Sequence, residues 1–124
     1  HYNRGIELRA AGRRSEAIAE FERSLAEAPL AHYALGFELQ ADGRHDEAAR
    51  HYEAFIAAEP FDANVLRAYH QLGRARLAQG RLEEALAAFR ELLARSPANA
   101  DAVAGEADTL LAMKRWDEAI AAYT

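Results

Sequence analysis

Cysteine is absent from the 124 residues. That removes a disulfide framework, a thiolate metal site and a thiol nucleophile together. It leaves the compartment open between cytoplasm and periplasm, with the cytoplasm favoured. Basic charge is also short: 15 Lys and Arg against 20 Asp and Glu give a formal net charge of −5, and only one of the bases, Lys114, is lysine. Affinity for nucleic acid comes mostly from neutralised phosphates, so no nucleic-acid partner is expected. No apolar run approaches the roughly 18 residues that mark a membrane span, so none is expected. Proline is confined to positions 29, 60 and 97. Because proline disrupts helix interiors, these three read as the ends of helical stretches. Methionine does not stand first; His1 does, which reads as a chain cut from a longer one.

What the chain does have is a repeated beat. Between Gly73 and Pro97 it runs GRARLAQGRLEEALAAFRELLARSP, with Gly80, Ala85 and Phe89 spaced between those two. The second unit repeats the order as Gly36, Gly43, Ala48, Tyr52, Phe55 and Pro60, and the first as Gly5, Gly12, Ala17, Phe21 and Pro29. The fourth has Ala107 and Lys114 in the glycine places and recovers with Ala119 and Tyr123. From Ala85 to Ala119 is 34 residues; the earlier gaps, Ala17 to Ala48 and Ala48 to Ala85, are 31 and 37 and average to the same period. The short gap predicts a trimmed turn around Pro29, and the long one an extra helical turn capped near Asp62. The copies divide one domain at about 1–29, 30–60, 61–97 and 98–124, the last incomplete. A chain built of copies is a stack, and 51% apolar residues suffice for a continuous core. Within a copy, Gly12, Gly43 and Gly80 close the first helix. Ala17, Phe21, Ser24 and Leu25 share one face of the second, which begins near Ser15.

These residues resemble the tetratricopeptide repeat family. Leu35-Gly36 and Leu72-Gly73 match its first helix; Ala48, Ala85, Ala119, the aromatics Phe21, Tyr52, Phe89 and Tyr123, and the three prolines match its second. Arg4 departs from the leucine before the first glycine, and Ser24, Phe55 and Leu92 depart from the third small residue. The resemblance implies an all-α, right-handed superhelical solenoid of antiparallel helix pairs. Its first helices would line a concave groove and its second helices lie outside. A final apolar face without a capping helix would fray or be covered by another molecule, so self-association through the repeat ends is an expected alternative.

Groupings with a chemical look have plainer explanations. His45 and His51 are six apart and do not share a helix face as two ligands would, and no HExxH occurs, so no metal is expected. Asp46-Glu47, Glu83-Glu84 and Asp117-Glu118 recur in register at the start of second helices, where the helix dipole favours acids. No glycine run forms a phosphate loop, and no serine has a histidine and an acid at a telling spacing. No catalytic residue and no cofactor follow.

Binding remains. The resemblance places Tyr2, Asn3, Ile6, Arg9, Tyr33, Phe37, Gln40, Arg67, His70, Gln71 and Arg74 on the first-helix face. Tyrosine, phenylalanine and arginine together are a typical interface composition. The asparagine that many family members carry after the Leu-Gly glycine is replaced by Ile6, Phe37, Arg74 and Asp108, so a carboxylate clamp of that type does not carry over. The expected function is a non-enzymatic interaction module holding a peptide or partner helix in the groove. The alternative is an accessory domain of a larger enzyme, such as a bacterial glycosyl-, sulfo- or methyltransferase.

Overall fold

The computed structural model describes residues 2–25 and 28–113. They contain seven α-helices and no strand: α1 (Tyr2–Ala10), α2 (Arg14–Ser24), α3 (Leu30–Ala41), α4 (His45–Ala58), α5 (Val65–Ala78), α6 (Leu82–Arg95) and α7 (Ala100–Ala112). The chain divides into two compact units, His1–Asp62 and Ala63–Thr124. In the first, α1 packs on α2, α2 on α3 and α3 on α4; in the second, α5 and α6 pack together and both meet α7. The second helix expected for the fourth repeat, with Asp117-Glu118, Ala119 and Tyr123, lies outside the described residues, as do His1 and Lys114.

Each helix pair turns on a glycine. Gly12, Gly43 and Gly80 have φ of 76°, 80° and 75°, a conformation that costs other residues energy. The residue after each glycine sends its N–H back to a carbonyl five residues earlier: Arg13 to Leu8 (2.9 Å), Arg44 to Leu39 (2.8 Å) and Arg81 to Arg76 (2.9 Å). This closes the end of the first helix and starts the second within three residues, so the two run antiparallel. The same arginines precede α2, α4 and α6 and pair with an acid three residues on: Arg13 with Glu16, Arg44 with Glu47 and Arg81 with Glu84. Those pairs are exposed, and each adds little.

The core follows from small residues facing large ones. Ala17, Ala48 and Ala85 have no exposed surface, and neither do Phe21, Tyr52 and Phe55; Phe89 is 1% exposed. A Cβ on Gly36 would fall 2.8 Å from the Tyr52 ring, and one on Gly73 2.7 Å from that of Phe89, closer than side chains pack. Glycine is therefore what allows the ring to lie against the first helix. Phe89 is shared: Gly105 of α7 also meets the ring, and a Cβ there would overlap it. The repeat spacing predicts glycine at Ala107, which is buried; Gly105, two residues earlier, makes the contact instead. Two hydroxyls in the core, Ser24 and Thr109, donate to carbonyls of their own helices, Phe21 O (2.9 Å) and Gly105 O (2.7 Å).

Where the spacing departs from 34, the structure answers differently at the two places. At the short gap Pro29 stands directly before α3, and Ala31 and His32 close the entry with N–H bonds to Ala28 O (2.8 Å) and Pro29 O (3.0 Å). At the long gap the expected extra turn capped near Asp62 does not form. Residues 60–64 make turns, and α5 starts at Val65, its first helical bond running from Ala68 N–H to Asn64 O (2.9 Å). Pro60, Asp62 and Asn64 favour turns over helix interior, so part of the surplus goes into the connection and part into α5, which has 14 residues against 12 in α3.

Truncating Phe89 to alanine should cost about 3–5 kcal/mol, because both helices that touch the ring lose it. Ala85→Leu should cost about 1–3 kcal/mol by overpacking a site with no spare surface. Urea unfolding checks both, and midpoints equal to the parent would contradict this packing.

Candidate functional site

The first-helix residues of the first unit separate into packing and exposed groups. Tyr2 lies 5.7 Å from the Phe21 ring, and Tyr33 5.9 Å and 5.8 Å from those of Tyr52 and Phe55. Gln40 accepts the Tyr52 hydroxyl at 2.8 Å, and burial pushes that phenol well above the usual tyrosine range. These three side chains therefore serve the core as much as the surface. Asn3, Ile6 and Phe37 are exposed, Ile6 at 37% and Phe37 at 43%.

Arg9 joins the helices of two neighbouring repeats. Its Nε donates to Oε1 of Glu38, its Nη2 donates to Ala34 O at 3.1 Å, and its guanidinium lies 5.1 Å from the Phe21 ring and 5.4 Å from that of Phe37. Arg14 Nε is 3.5 Å from the other Glu38 oxygen. Glu38 is only 4% exposed, so two arginines bracket a buried carboxylate. Arg9, Gly12, Arg14, Phe37, Glu38 and Ala41 line a cleft of ≈ 330 Å³, with the Phe37 ring in its wall. Glu38 escaped the sequence reading. The places in register with it are mixed, an exposed Glu7 in the first repeat and the buried Ala75 and Thr109 in the third and fourth, so the sequence pattern did not single it out.

In the second unit Arg67 and Arg74 are exposed, while His70 and Gln71 are half-buried. The His70 ring lies 6.3 Å from that of Phe89, and burial lowers its pKa; Asp101 opposes that and Arg74 adds to it. Arg76, by contrast, is buried: its Nε is 3.1 Å from Glu84 Oε2 and its Nη1 donates to Gln79 at 3.2 Å. Arg95 stacks over Tyr69 at 5.1 Å. The aromatic residues Tyr33 and Phe37 belong to one compact unit and the basic residues Arg67 and Arg74 to the other.

One further pair lies on the α3–α4 hairpin. The Nδ1 atoms of His32 and His51 are 3.0 Å apart, with ring centroids 5.3 Å apart and planes tilted by 31°. Burial lowers the pKa of both; for His51 the charges of His32 and Arg50 lower it further, and Glu47 opposes them. Among the described residues no group of three or more His, Cys, Asp or Glu could hold a metal ion.

Family models described as tetratricopeptide repeat match residues 2–41, 27–98 and 76–124. Among solved structures, the chain is similar to MamA (residues 41 to the end) from Desulfovibrio magneticus RS-1, with 24% identity, a TM-score of 0.87, and coverage of 98% of this chain and 69% of that one. It is also similar to the second TPR domain of human RPAP3, in complex with an HSP70 peptide (24% identity, TM-score 0.75, 86% and 89% covered). The first TPR of Spaghetti (RPAP3), bound to an HSP90 peptide, gives 20% identity and a TM-score of 0.79, with 91% and 90% covered. At these identities the likeness is one of fold. No curated protein matches the sequence.

Two outcomes follow from this geometry. Glu38→Ala should destabilise the chain by about 1–3 kcal/mol in urea melts, because Arg9 loses the acceptor that holds it against two rings; an unchanged midpoint would show that the bracket contributes nothing. The histidines give a pH dependence of fixed sign. Their folded pKa lies below the ordinary histidine value, so the unfolded chain binds more protons as the pH falls through that window. Stability should be whole above about pH 6.5 and decline below it, and His32→Gln should flatten the decline. A urea midpoint constant from about pH 7.5 to about pH 5 would contradict this.

Proposed function

The chain belongs to the tetratricopeptide repeat family, and from that premise we propose that it is a non-catalytic interaction module that holds a peptide or partner helix on its first-helix faces. The observation that carries the reading is Phe37. A large aromatic side chain stands 43% exposed beside a cleft, with the Arg9 guanidinium over it. Exposed aromatic rings next to arginine are where interfaces concentrate binding energy. Ile6, exposed on α1, adds apolar surface in the same unit. Arg67 and Arg74 on α5 give the second unit, by itself, a basic first-helix face suited to an acidic residue, since guanidinium pairs with carboxylate in a two-bond geometry.

The two RPAP3 domains of similar fold are described with peptides bound. That supports peptide recognition as the mode of action here. The absence of asparagine after the first-helix glycines argues for a different set of contacts, with an apolar residue of the ligand seated against Phe37.

Capture of a partner by residues 1–124, followed by titration calorimetry of the purified pair, tests the reading. Phe37→Ala and Arg74→Glu should each weaken binding about tenfold or more, on the order of 1.4 kcal/mol, while leaving the melting temperature nearly unchanged. Unchanged affinity in both variants would place recognition elsewhere on the chain.

A further inference from the structure

His32 and His51 approach closely across the α3–α4 hairpin. Two nitrogens bound to one zinc ion at about 2.0–2.1 Å, and 3.0 Å from each other, subtend about 95° at the metal, between the octahedral and tetrahedral angles. From this geometry we infer that His32 and His51 form a two-nitrogen chelate for a borderline divalent cation, zinc or copper(II), on the α3–α4 hairpin.

The two rings are held where a chelate needs them. His32 is on α3 between Ala31, which is fully buried, and Tyr33, which packs on Tyr52 and Phe55. His51 is on α4 between the buried Ala49 and the fully buried Tyr52. The backbone beneath both rings is thus fixed by the core, and binding requires each ring to turn its Nδ1 lone pair by roughly 40° from the line joining the two nitrogens toward the shared ion. Both side chains are only half-buried, so water can reach the ion and complete its coordination. With two protein donors, the site is an exchangeable one rather than a closed structural site with four ligands. Imidazole selects zinc and copper(II) over magnesium or calcium, and copper(II) binds the tighter of the two.

The exchange balances. In the metal-free pair one Nδ1–H donates to the other Nδ1. For metal to enter, the donor ring moves that proton to its own Nε2, and both Nδ1 lone pairs become ligands. Each ring stays neutral, and no proton leaves the pair. Nearby charge is mixed: Glu47, one turn before His51, favours a cation, although it also pairs with Arg44 at 2.7 Å, and Arg50 opposes it.

Zinc chloride titrated into the chelator-treated, ¹⁵N-labelled chain at neutral pH tests the site, read through the imidazole nitrogens. At one equivalent, the Nδ1 resonances of His32 and His51 should move together while those of His45 and His70 stay. His51→Gln should weaken zinc binding by at least about tenfold. Zinc should raise the melting temperature of the parent, and EDTA should reverse the rise. The inference is overturned if both resonances of the unaltered chain stay put in a large excess of zinc. It is equally overturned if all the histidines shift in parallel, or if His51→Gln binds zinc as tightly as the parent. Because the resonance test uses the unaltered chain, it decides the matter even where a variant folds poorly.

Discussion

An aromatic ring laid against a glycine is the interaction on which this structure depends. Phe21 lies against Gly5, Tyr52 against Gly36 and Phe89 against Gly73, and each ring needs the first helix to offer no Cβ at that point. The ring then replaces water along the seam between two helices, and a fully buried alanine on the second helix completes the contact. In the second unit the same device joins one helix pair to the next helix, since Phe89 is met by Gly105 as well. The turn glycines serve this seam. By reversing the chain in three residues they bring the second helix back at the height where its ring finds the glycine.

Once the seam is fixed, the outer faces of the first helices are free to differ, and they do. At the place following the seam glycine, Ile6, Phe37 and Arg74 are exposed while the glycines beside them stay buried. One place in register shows how far the variation reaches inward. Ala75 and Thr109 fill it with small buried side chains and Glu7 with an exposed carboxylate, whereas Glu38 fills it with a buried carboxylate that requires Arg9 and Arg14 around it. A buried ion pair of this kind contributes less to net stability than to the positions of its members. Here it holds a guanidinium over Phe37, shaping the surface proposed to bind.

The helix pairs, the turn glycines and the seam were legible in the sequence because each is a local constraint repeated in register. A glycine seven residues from another, and an aromatic four beyond an alanine, carry their meaning without knowledge of the tertiary fold. The division of the first-helix face was not legible. Tyr33 and Phe37 share that face by spacing, yet Tyr33 leans on two buried rings while Phe37 stands out. Nor were the pairings across helices: Arg9 and Glu38 are 29 residues apart and His32 and His51 are 19 apart, and no periodicity reports which polar side chains meet. The turn at Asp62 was misjudged for a related reason. A surplus of residues says only that chain must be accommodated, and the choice between helix and connection lay with Pro60, Asp62 and Asn64.

The seam is tested most directly by a double-mutant cycle between Gly73 and Phe89 in urea unfolding. Helix propensity alone would make Gly73→Ala stabilising by about 1 kcal/mol. Contact with the ring predicts the opposite: a loss of about 1–3 kcal/mol in the parent chain. That loss should shrink or reverse when Phe89 has been changed to leucine, with a coupling of at least about 1 kcal/mol between the two positions. If Gly73→Ala had the same effect in both backgrounds, or stabilised the parent, the ring-on-glycine contact would not be what organises this chain.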